Sequence, residues 1–576
     1  MGTRTNNQFG SRVFHWRTAT IFLVALILSG CSTSHHRRSA DKEVYRIIEQ
    51  AENRIFGRTN DFTIDTSYSS RKPKDITATE LIDDRLQTNR RLLTLEGALE
   101  LAATRSRTYQ AEKERLYLTA LTLTGARYQF TPQFFANSQA RYARDAAGEQ
   151  TGTVNSQVGV DQLVRSGGRL GVSMANDILR YYTGDPRRSV ISTLSVNLVQ
   201  PLLRGFGRNN AAVESLTQAE RNVVYAVRNY SFFQDEFALE IVSDYFALLA
   251  QKDTIRNRYT NYLNLGLSTK RLEARAKDRE ALVDVDRARQ EELSSKNTYV
   301  NALASYRTSL DQFKIKLGLT LGEQILLEDQ ALKDLEQIGM IDVTLDPQEA
   351  YSIAVKKQLT ILNAIDAFED SKRKVRVAAD RLKADLNLIA DASLASDEPT
   401  DYTTFDPDKI RAGVGLQLDL PLDRLNERND YRSTLISFES QLRNLTLTLD
   451  QLRDSIARGL RTVAQRRQNF EIQSNALVLA NRRVASTALL LEAGRVEVRE
   501  LLDAIDSQIQ VQNQLTVSRV DYHLSRLQLM LDIGALNKEL PQFWLKDHLA
   551  GFIPGARPAA TEFDDKVLTP EEYFNN

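Results

Sequence analysis

The sequence predicts an α+β fold in which amphipathic β-strands alternate with very long α-helices. Three observations predict it: the sequence repeats itself, apolar and polar residues alternate over strand-length runs, and long stretches lack proline. Proline is scarce, with 12 among 576 residues, and the abundance of Leu, Ala, Arg and Glu is typical of long helices. Lys plus Arg and Asp plus Glu number 75 each, so no net charge points to a nucleic-acid partner.

The repeat becomes visible when the sequence is aligned with itself. Gly318 then matches Gly534, and a shift longer by one helical turn aligns the segment around Pro201 with that around Pro421. A duplicated unit usually means that one architecture is built from two equivalent parts. We therefore predict two internal structural repeats, each containing a helix, β-strands and a long helical hairpin.

The chain divides into five parts on this basis. They are a lipoprotein signal peptide (1–30), an N-terminal tether (31–93), the first repeat (94–320), the second repeat (345–540) and an irregular C-terminal tail (541–576). The tether is polar and lacks strong periodicity, so we expect only short ordered pieces in it. We expect the tail to be an irregular strap on the outside of the protein.

The first 30 residues have the parts of a bacterial secretion signal. Arg4 and Arg12 belong to a positive stretch that precedes an apolar segment over 20–28. The segment ends Leu-Ser-Gly-Cys, which resembles the lipobox of bacterial lipoproteins, and Cys31 is the only cysteine of the chain. The alternative is an ordinary signal peptide with a chance cysteine. We predict covalent lipid on Cys31, which would anchor the chain to a membrane, and no other cofactor.

Each repeat opens with a helix and continues into strands. The first helix begins at Thr94, and the second begins at Asp346, where an N-cap residue precedes a proline. Strand-like alternation follows, over 384–394 and 410–420 in the second repeat, and it begins at 128–142 and closes at 194–198 in the first. Such runs are typical of transmembrane β-strands; a soluble β-sandwich is the alternative.

The first repeat contains an extra hairpin that the second lacks. Two apolar runs, 158–164 and 170–174, flank a turn with the sequence Arg-Ser-Gly-Gly. The hairpin either adds two strands to a membrane barrel or lies outside the lipid, and the sequence leaves both open.

A very long helix follows the strands of each repeat. No proline interrupts 426–492, which would span roughly 100 Å as a helix. The first repeat has a similar proline-free stretch over 211–276. Apolar residues in the second helix keep the three-four spacing of a coiled-coil seam, from Leu435 to Ile456. We expect the long helices to reverse near Asp278 and Gly494.

The strands require self-association if they lie in a membrane. Backbone groups cannot stay unpaired in lipid, so membrane strands must close into a barrel, and known barrels begin at eight strands. One chain offers four strands, or six with the extra hairpin. It therefore cannot close a barrel alone.

These features together resemble the TolC-type outer-membrane efflux protein family over roughly 95–540. The resemblance rests on the duplicated Leu-x-x-Pro-Leu junctions at Pro201 and Pro421, and on the tip Leu-Glu-Ala-Gly-Arg, 491–495, followed by 500–504. It also rests on Leu-Val-Asp-Val-Asp, 282–286. It implies a homotrimer whose transmembrane β-barrel, with four strands per chain, continues into a long periplasmic α-helical barrel.

The resemblance also implies an aperture at the periplasmic end. Asp284, Glu500 and Asp503 fall where the family places acidic constriction residues, and rings of such carboxylates would favour cations. The alternative is that they are ordinary solvated helix residues. The sequence departs from the family's latch because Leu491 replaces an aromatic residue and Val496 replaces a basic one.

The family's tips dock to a periplasmic adaptor protein, which works with an inner-membrane pump of RND or ABC type. The positions implied for adaptor contact here are Asp278, Gly494, Arg495 and Val496. The resemblance therefore implies a lipid-anchored outer-membrane protein of a Gram-negative-type bacterium that conducts exported substrates passively. Secreted polypeptide, as in type I secretion, is an alternative cargo.

Two other classes were considered. An enzyme is disfavoured because no HExxH, GxSxG, P-loop or Rossmann motif appears in its required context, and only His523 and His548 lie beyond the signal and tether. A structural coiled-coil lipoprotein without a pore would explain Cys31 and the long helices. It would leave the alternating strands without a purpose.

Overall fold

The computed structural model describes residues 32–183, 188–275, 282–396, 404–420 and 422–549. Its helices are α1 (Thr33–Phe56), α2 (Ala78–Leu86), α3 (Leu95–Arg105), α4 (Arg107–Tyr128), α5 (Ala211–Arg275), α6 (Leu282–Lys316), α7 (Gln330–Ile338), α8 (Pro347–Lys357), α9 (Leu359–Asp380), α10 (Leu425–Glu492) and α11 (Val498–Asp532). Its strands are β1 (Arg90–Leu93), β2 (Gln133–Arg144), β3 (Gln150–Leu163), β4 (Arg169–Tyr181), β5 (Arg188–Pro201), β6 (Gln324–Leu327), β7 (Asp385–Ala395) and β8 (Arg411–Asp419). Cys31, Asp278, Pro421 and the signal peptide lie outside the described residues.

Six strands, rather than four, form the large sheet. They are antiparallel in the order β2-β3-β4-β5-β7-β8, so the extra hairpin of the first repeat is β3 and β4 and lies inside the sheet. The hairpin joins the sheet because its strands have the same alternation as their neighbours. The strand predicted from 128 starts later, since Tyr128 is still the last residue of α4.

The strand register separates an apolar face from a polar one. One row of paired residues crosses the whole sheet as Phe134, Val160, Val172, Val196, Ala392 and Ala412. A neighbouring row, which points to the other face, is Gln133, Asp161, Gly171, Asn197, Asp391 and Gly413. The described part of the chain leaves the apolar face uncovered: Phe134 is 83% exposed and Val414 79%. Large apolar side chains in that position indicate a surface that is buried in something other than water.

The long helices form as the heptad pattern predicts. Helix α10 has 68 residues and α5 has 65, so each is about 100 Å long. Each packs against its return helix, α11 and α6 respectively. No helix in the described part of the chain is both long and apolar enough to cross a bilayer.

The main core lies partway along these helices, beside a small parallel pair of strands, β1 and β6. Tyr245 and Tyr522 are fully buried there. The hydroxyl of Tyr245 donates to the carbonyl of Leu93 at 2.9 Å, and that of Tyr522 donates to the carbonyl of Ile341 at 2.6 Å. Both tyrosines are therefore packing residues with satisfied hydroxyls.

The N-terminal segment is more ordered than the predicted tether. Val44 and Ile48 of α1 are completely buried against α4 and α5. Asp41 accepts a hydrogen bond from the Tyr117 hydroxyl at 2.7 Å, and burial together with this bond raises the pKa of Tyr117 above its ordinary value. The prediction of a loose tether over 31–93 was wrong because an apolar stripe at helical spacing is hidden among its charged residues.

The C-terminal tail also packs into the main core. Phe543 and Trp544 are buried, and Arg526 of α11 donates hydrogen bonds to the carbonyls of Trp544 and Lys546. The tail is irregular, as predicted, over its described residues up to 549. Over 541–549 it is part of the core, however, and not a strap on the outside.

Both return helices end in the same glycine motif. At the end of α6, Gly318 has φ 75°, and the amide of Leu319 donates to the carbonyl of Lys314 at 2.9 Å; Gly534 ends α11 in the same way. A Cβ on Gly318 would collide with the backbone of Arg105, at the break between α3 and α4. A Cβ on Gly534 would lie 2.9 Å from backbone atoms at the matching break between α8 and α9.

We expect Gly318→Ala to destabilise the protein more than Gly494→Ala. Both glycines have positive φ, which costs an alanine about 1 kcal/mol, but a Cβ on Gly494 has nothing within 4 Å. The measurement is thermal unfolding of the two purified variants beside the unsubstituted protein. Equal melting temperatures for both variants would contradict the steric argument.

A buried ionic network joins the two repeats. Asp370 of α9 is 2% exposed and accepts hydrogen bonds from Arg221 and Tyr225 of α5, at 3.0 and 2.5 Å, and from Arg373 at 2.5 Å. Burial opposes ionisation of Asp370, but the hydrogen bonds from Tyr225 and Arg373 outweigh it, so its pKa lies below its ordinary value. Ionised Asp370 therefore stabilises the contact between α5 and α9.

Asp370→Asn should lower the free energy of unfolding by roughly 3 kcal/mol at neutral pH, because it removes the buried carboxylate that the half-buried Arg221 and Arg373 share. A carboxylate with a lowered pKa stabilises the fold above its unfolded pKa of about 4 and loses that contribution as the pH falls further. The difference in stability between the variant and the unsubstituted protein should therefore shrink below about pH 4. Asp454→Asn, in an exposed pair with Arg458, is the control and should change stability by under about 0.5 kcal/mol. A difference that persists unchanged into acid would refute the assignment.

Candidate periplasmic aperture

The tips of the two helical hairpins pack on one another. A buried apolar cluster there contains Leu265 and Leu272 of α5, Ala288 of α6, and Val498 and Leu502 of α11. Because these residues come from both predicted repeats, the far end of the molecule is one packed unit. We call it the tip cluster.

The turn of the second hairpin is set by a glycine. Helix α10 ends at Glu492, Gly494 has φ 66°, and the amide of Arg495 donates to the carbonyl of Leu490 at 2.9 Å. The predicted reversal at Gly494 is therefore confirmed. Leu491, which stands where the family has an aromatic residue, packs against the tip cluster.

The three predicted acidic residues flank the tip cluster. Asp284 lies in the first turn of α6, beside the cluster's Val285, and Glu500 lies in the first turn of α11, between Val498 and Leu502. Asp503 follows one turn later and is exposed. The structure thus brings carboxylates from both hairpins to the same end of the molecule.

Within the described ranges, these carboxylates are poorly compensated by nearby cations. Asp284 pairs with Arg287 at 3.9 Å, and Glu500 with Arg499 at 3.5 Å. Among the described residues, Asp503 has no ion pair, and Oε2 of Glu500 is enclosed without a hydrogen-bond partner. Exposed pairs at such distances contribute little stability, so they leave most of the negative charge available to solutes.

Three of the four positions predicted to contact an adaptor are described, and they lie at the tip. Gly494 and Arg495 are exposed and Val496 is half-buried, whereas Asp278 lies outside the described residues. Each of the three described positions lies in the short connection between α10 and α11. They are therefore available at the extreme end of the second hairpin.

At the opposite end of the molecule, the start of α1 lies near the sheet. Asp41 contacts Tyr117, while Phe62 and Ile64, which follow α1, contact residues farther from the sheet: Phe62 packs on Tyr230, and the carbonyl of Ile64 accepts from Gln110. Helix α1 is thus antiparallel to α4, which itself leads into β2. Thr33, the first residue of α1, therefore lies at its sheet end, a position that the sequence did not predict.

Comparisons with known proteins place this architecture among outer-membrane channels. No protein-family model and no curated protein matches the sequence. Among solved structures, CusC, described in connection with transmembrane channel formation, is similar over 76% of this chain and 92% of its own, with 11% identity and a TM-score of 0.58. The Campylobacter jejuni outer-membrane channel CmeC is similar over 76% and 85%, with 12% identity and a TM-score of 0.56.

A third structure, the Vibrio cholerae outer-membrane protein VceC, is similar over 76% of this chain and 96% of its own, with 15% identity and a TM-score of 0.56. The chain therefore has the fold of the TolC-type outer-membrane channels, which confirms the resemblance read from the sequence at the level of fold. These neighbours are described as channels or outer-membrane proteins and not as enzymes.

Proposed function

We propose that this chain forms the outer-membrane channel of a tripartite efflux system, conducting exported substrates passively through a homotrimer. The observation that carries the proposal is a sheet with an uncovered apolar face at one end of helices about 100 Å long. A sheet of that kind suits a bilayer, and helices of that length suit a tunnel across the space beneath it. A pore-free coiled-coil spacer would not need the sheet.

The sheet also supports association of several copies. Among the described residues, its outer strands, β2 and β8, each have only one neighbour. Lipid supplies no hydrogen bonds to unpaired strand edges, so β8 of one copy would pair with β2 of the next until a barrel closes. Three copies would contribute six helical hairpins, two from each chain's internal repeats, to the tunnel wall.

We infer the protein partners from the exposed tips of the helical hairpins. The exposed connection at Gly494, Arg495 and Val496, with Asp278 in the other hairpin, would meet a periplasmic adaptor, and through it an inner-membrane pump of RND or ABC type. Type I secretion would use the same channel for polypeptide cargo. We propose no nucleic-acid partner.

The lipid anchor fits the N-terminal geometry. Because α1 is antiparallel to α4, Ser32 and the preceding Cys31 would lie toward the sheet end, where an acyl chain reaches the bilayer. Outer-membrane lipid would then hold the chain both through the barrel and through Cys31.

The purified protein should conduct in planar bilayers in discrete steps and prefer cations, and Glu500→Gln with Asp503→Asn should weaken that preference. The reason is that both carboxylates are poorly compensated and would recur in every copy around the aperture. The measurement is the reversal potential in a salt gradient.

Asp450→Asn with Asp454→Asn is the matched control, because it removes the same charge midway along α10. We expect it to change the reversal potential less. Unchanged selectivity in the aperture variant would remove Glu500 and Asp503 from the pore lining, whereas the absence of discrete conductance in the unsubstituted protein would reject the channel.

Cys31→Ser should abolish incorporation of labelled palmitate in cells, because the chain has no other cysteine to carry lipid. The unsubstituted protein is the positive control, and its failure to take up label would show that the anchor does not exist. A Ser32→Ala variant controls for changes in signal processing next to the cleavage position.

A further inference from the structure

We propose that β3 and β4 are membrane-spanning barrel strands, so that three copies form an eighteen-stranded barrel about as wide as the helical tunnel below it. The inference rests on the proposed trimeric channel and goes beyond it, because the family resemblance supplies only four strands per chain. Its consequence is that the membrane section of the pore does not limit the size of the solute.

The first support is the side of the sheet on which the hairpin's apolar side chains lie. Val158 pairs with Met174 and Met174 pairs with Leu194, so this apolar row of β5 continues across the hairpin. Val158 is 53% exposed and Met174 37%, as apolar residues are when nothing in the chain covers them. A hairpin projecting into water would not need an apolar face in register with the membrane strands.

Strand length gives the second support. Strands β3 and β4 have 14 and 13 residues, against 11 and 9 in β7 and β8. A tilted strand needs about 9–11 residues to cross a bilayer. The hairpin strands are therefore at least as able to span the membrane as the strands of the second repeat.

The third support is the way the β3–β4 turn is fixed to the rim of the sheet. The carbonyl of Ser166 accepts from the amide of Gly207 at 2.9 Å, and its hydroxyl donates to Gln200 at 2.7 Å. Gly167 has φ 93°, and a Cβ there would lie 2.5 Å from both the Asn210 side chain and the Gly205 carbonyl. The turn is thus built into the junction between β5 and α5, at the level where the helices begin.

The circumference of a six-strand-per-chain barrel then agrees with that of the helical tunnel below it. Strands lie about 4.8 Å apart, and a tilt of about 40° gives each about 6 Å of circumference, so six strands cover roughly 37 Å per chain. Four helices meet the sheet in each chain, namely α4, α5, α9 and α10, and at about 8–10 Å each they cover roughly 32–40 Å. Four strands would cover only about 25 Å.

This difference sets the width of the membrane pore. Eighteen strands give a barrel roughly 36 Å across between backbones, or about 25 Å after inward side chains, whereas twelve would leave about 14 Å. The inward rows contain many polar residues, with Asn155, Ser173 and Asp177 among them. The membrane section would therefore admit large hydrophilic solutes, and size selection would fall to the helical tips.

Spin labels on single added cysteines test the position of the hairpin. The sites are Val158→Cys and Met174→Cys on the hairpin, with Val414→Cys on β8 as the matched lipid-facing control and Ser173→Cys as the lumen-facing one. The full chain, reconstituted in liposomes, is probed with oxygen, which partitions into lipid, and with a water-soluble nickel chelate. The unsubstituted protein gives the background from Cys31.

We expect the labels at 158, 174 and 414 to be severalfold more accessible to oxygen than to nickel, and the label at 173 to show the reverse. Lipid access at 414 with water access at both 158 and 174 would place the hairpin outside the bilayer and overturn this inference alone. Water access at 414 as well would reject the membrane channel itself.

A cryo-electron microscopy map of the same assembly in lipid nanodiscs provides an independent count. Eighteen strands in the barrel wall support the inference, and twelve strands with three projecting hairpins overturn it. The count uses the unsubstituted protein, so it does not depend on the labelled variants folding.

Discussion

The backbone amides and carbonyls along the outer edges of β2 and β8 need partners, and the rest of the architecture depends on this requirement. A six-stranded sheet with one apolar face is stable in a bilayer only if its two edges pair, because lipid offers backbone amides and carbonyls no alternative partner. The even number of strands keeps neighbours antiparallel when β8 of one copy meets β2 of the next. In the proposed membrane setting, association of copies would therefore be a consequence of the sheet.

The long helices also need neighbours from other copies. Within one chain, α10 leaves much of its apolar seam partly exposed, with Leu442 at 45%, since each helix of a closed tunnel needs neighbours on both sides. The two repeats are joined near the sheet by Asp370 and its arginines, in mid-molecule by the main core, and at the far end by the tip cluster. Three separate contacts along the length make one stiff unit of two hairpins.

Local patterns in the sequence predict the long helices, the strand alternation and the Gly494 turn because each depends on residues close together in the chain. Asn210 and Gly167 show the limit of that approach: their contact, which fixes the β3–β4 turn, joins residues 43 positions apart that no periodicity relates. Asp370 and Arg221 are likewise separated by 149 positions. Helix α1 was missed for a different reason, since charged residues outnumber its few apolar ones. Its apolar stripe is recognised only from its contact with Tyr117.

The same limit applies to the aperture. The family resemblance points to Asp284, Glu500 and Asp503, and the structure brings them to one end of the molecule. Whether a carboxylate faces inward is a property of the closed assembly, which one chain does not determine.

The glycines at the helix ends indicate where such an assembly can move. Gly318 and Gly534 are closed in by backbone at the breaks between α3 and α4 and between α8 and α9, whereas the space around Gly494 is open. Displacement at the tip therefore meets less steric resistance than displacement at the core, because close-packed backbone cannot yield without breaking hydrogen bonds. In the proposed tube, the sheet and the main core would be the rigid parts, and a change of width would occur between copies at the end that carries the acidic residues.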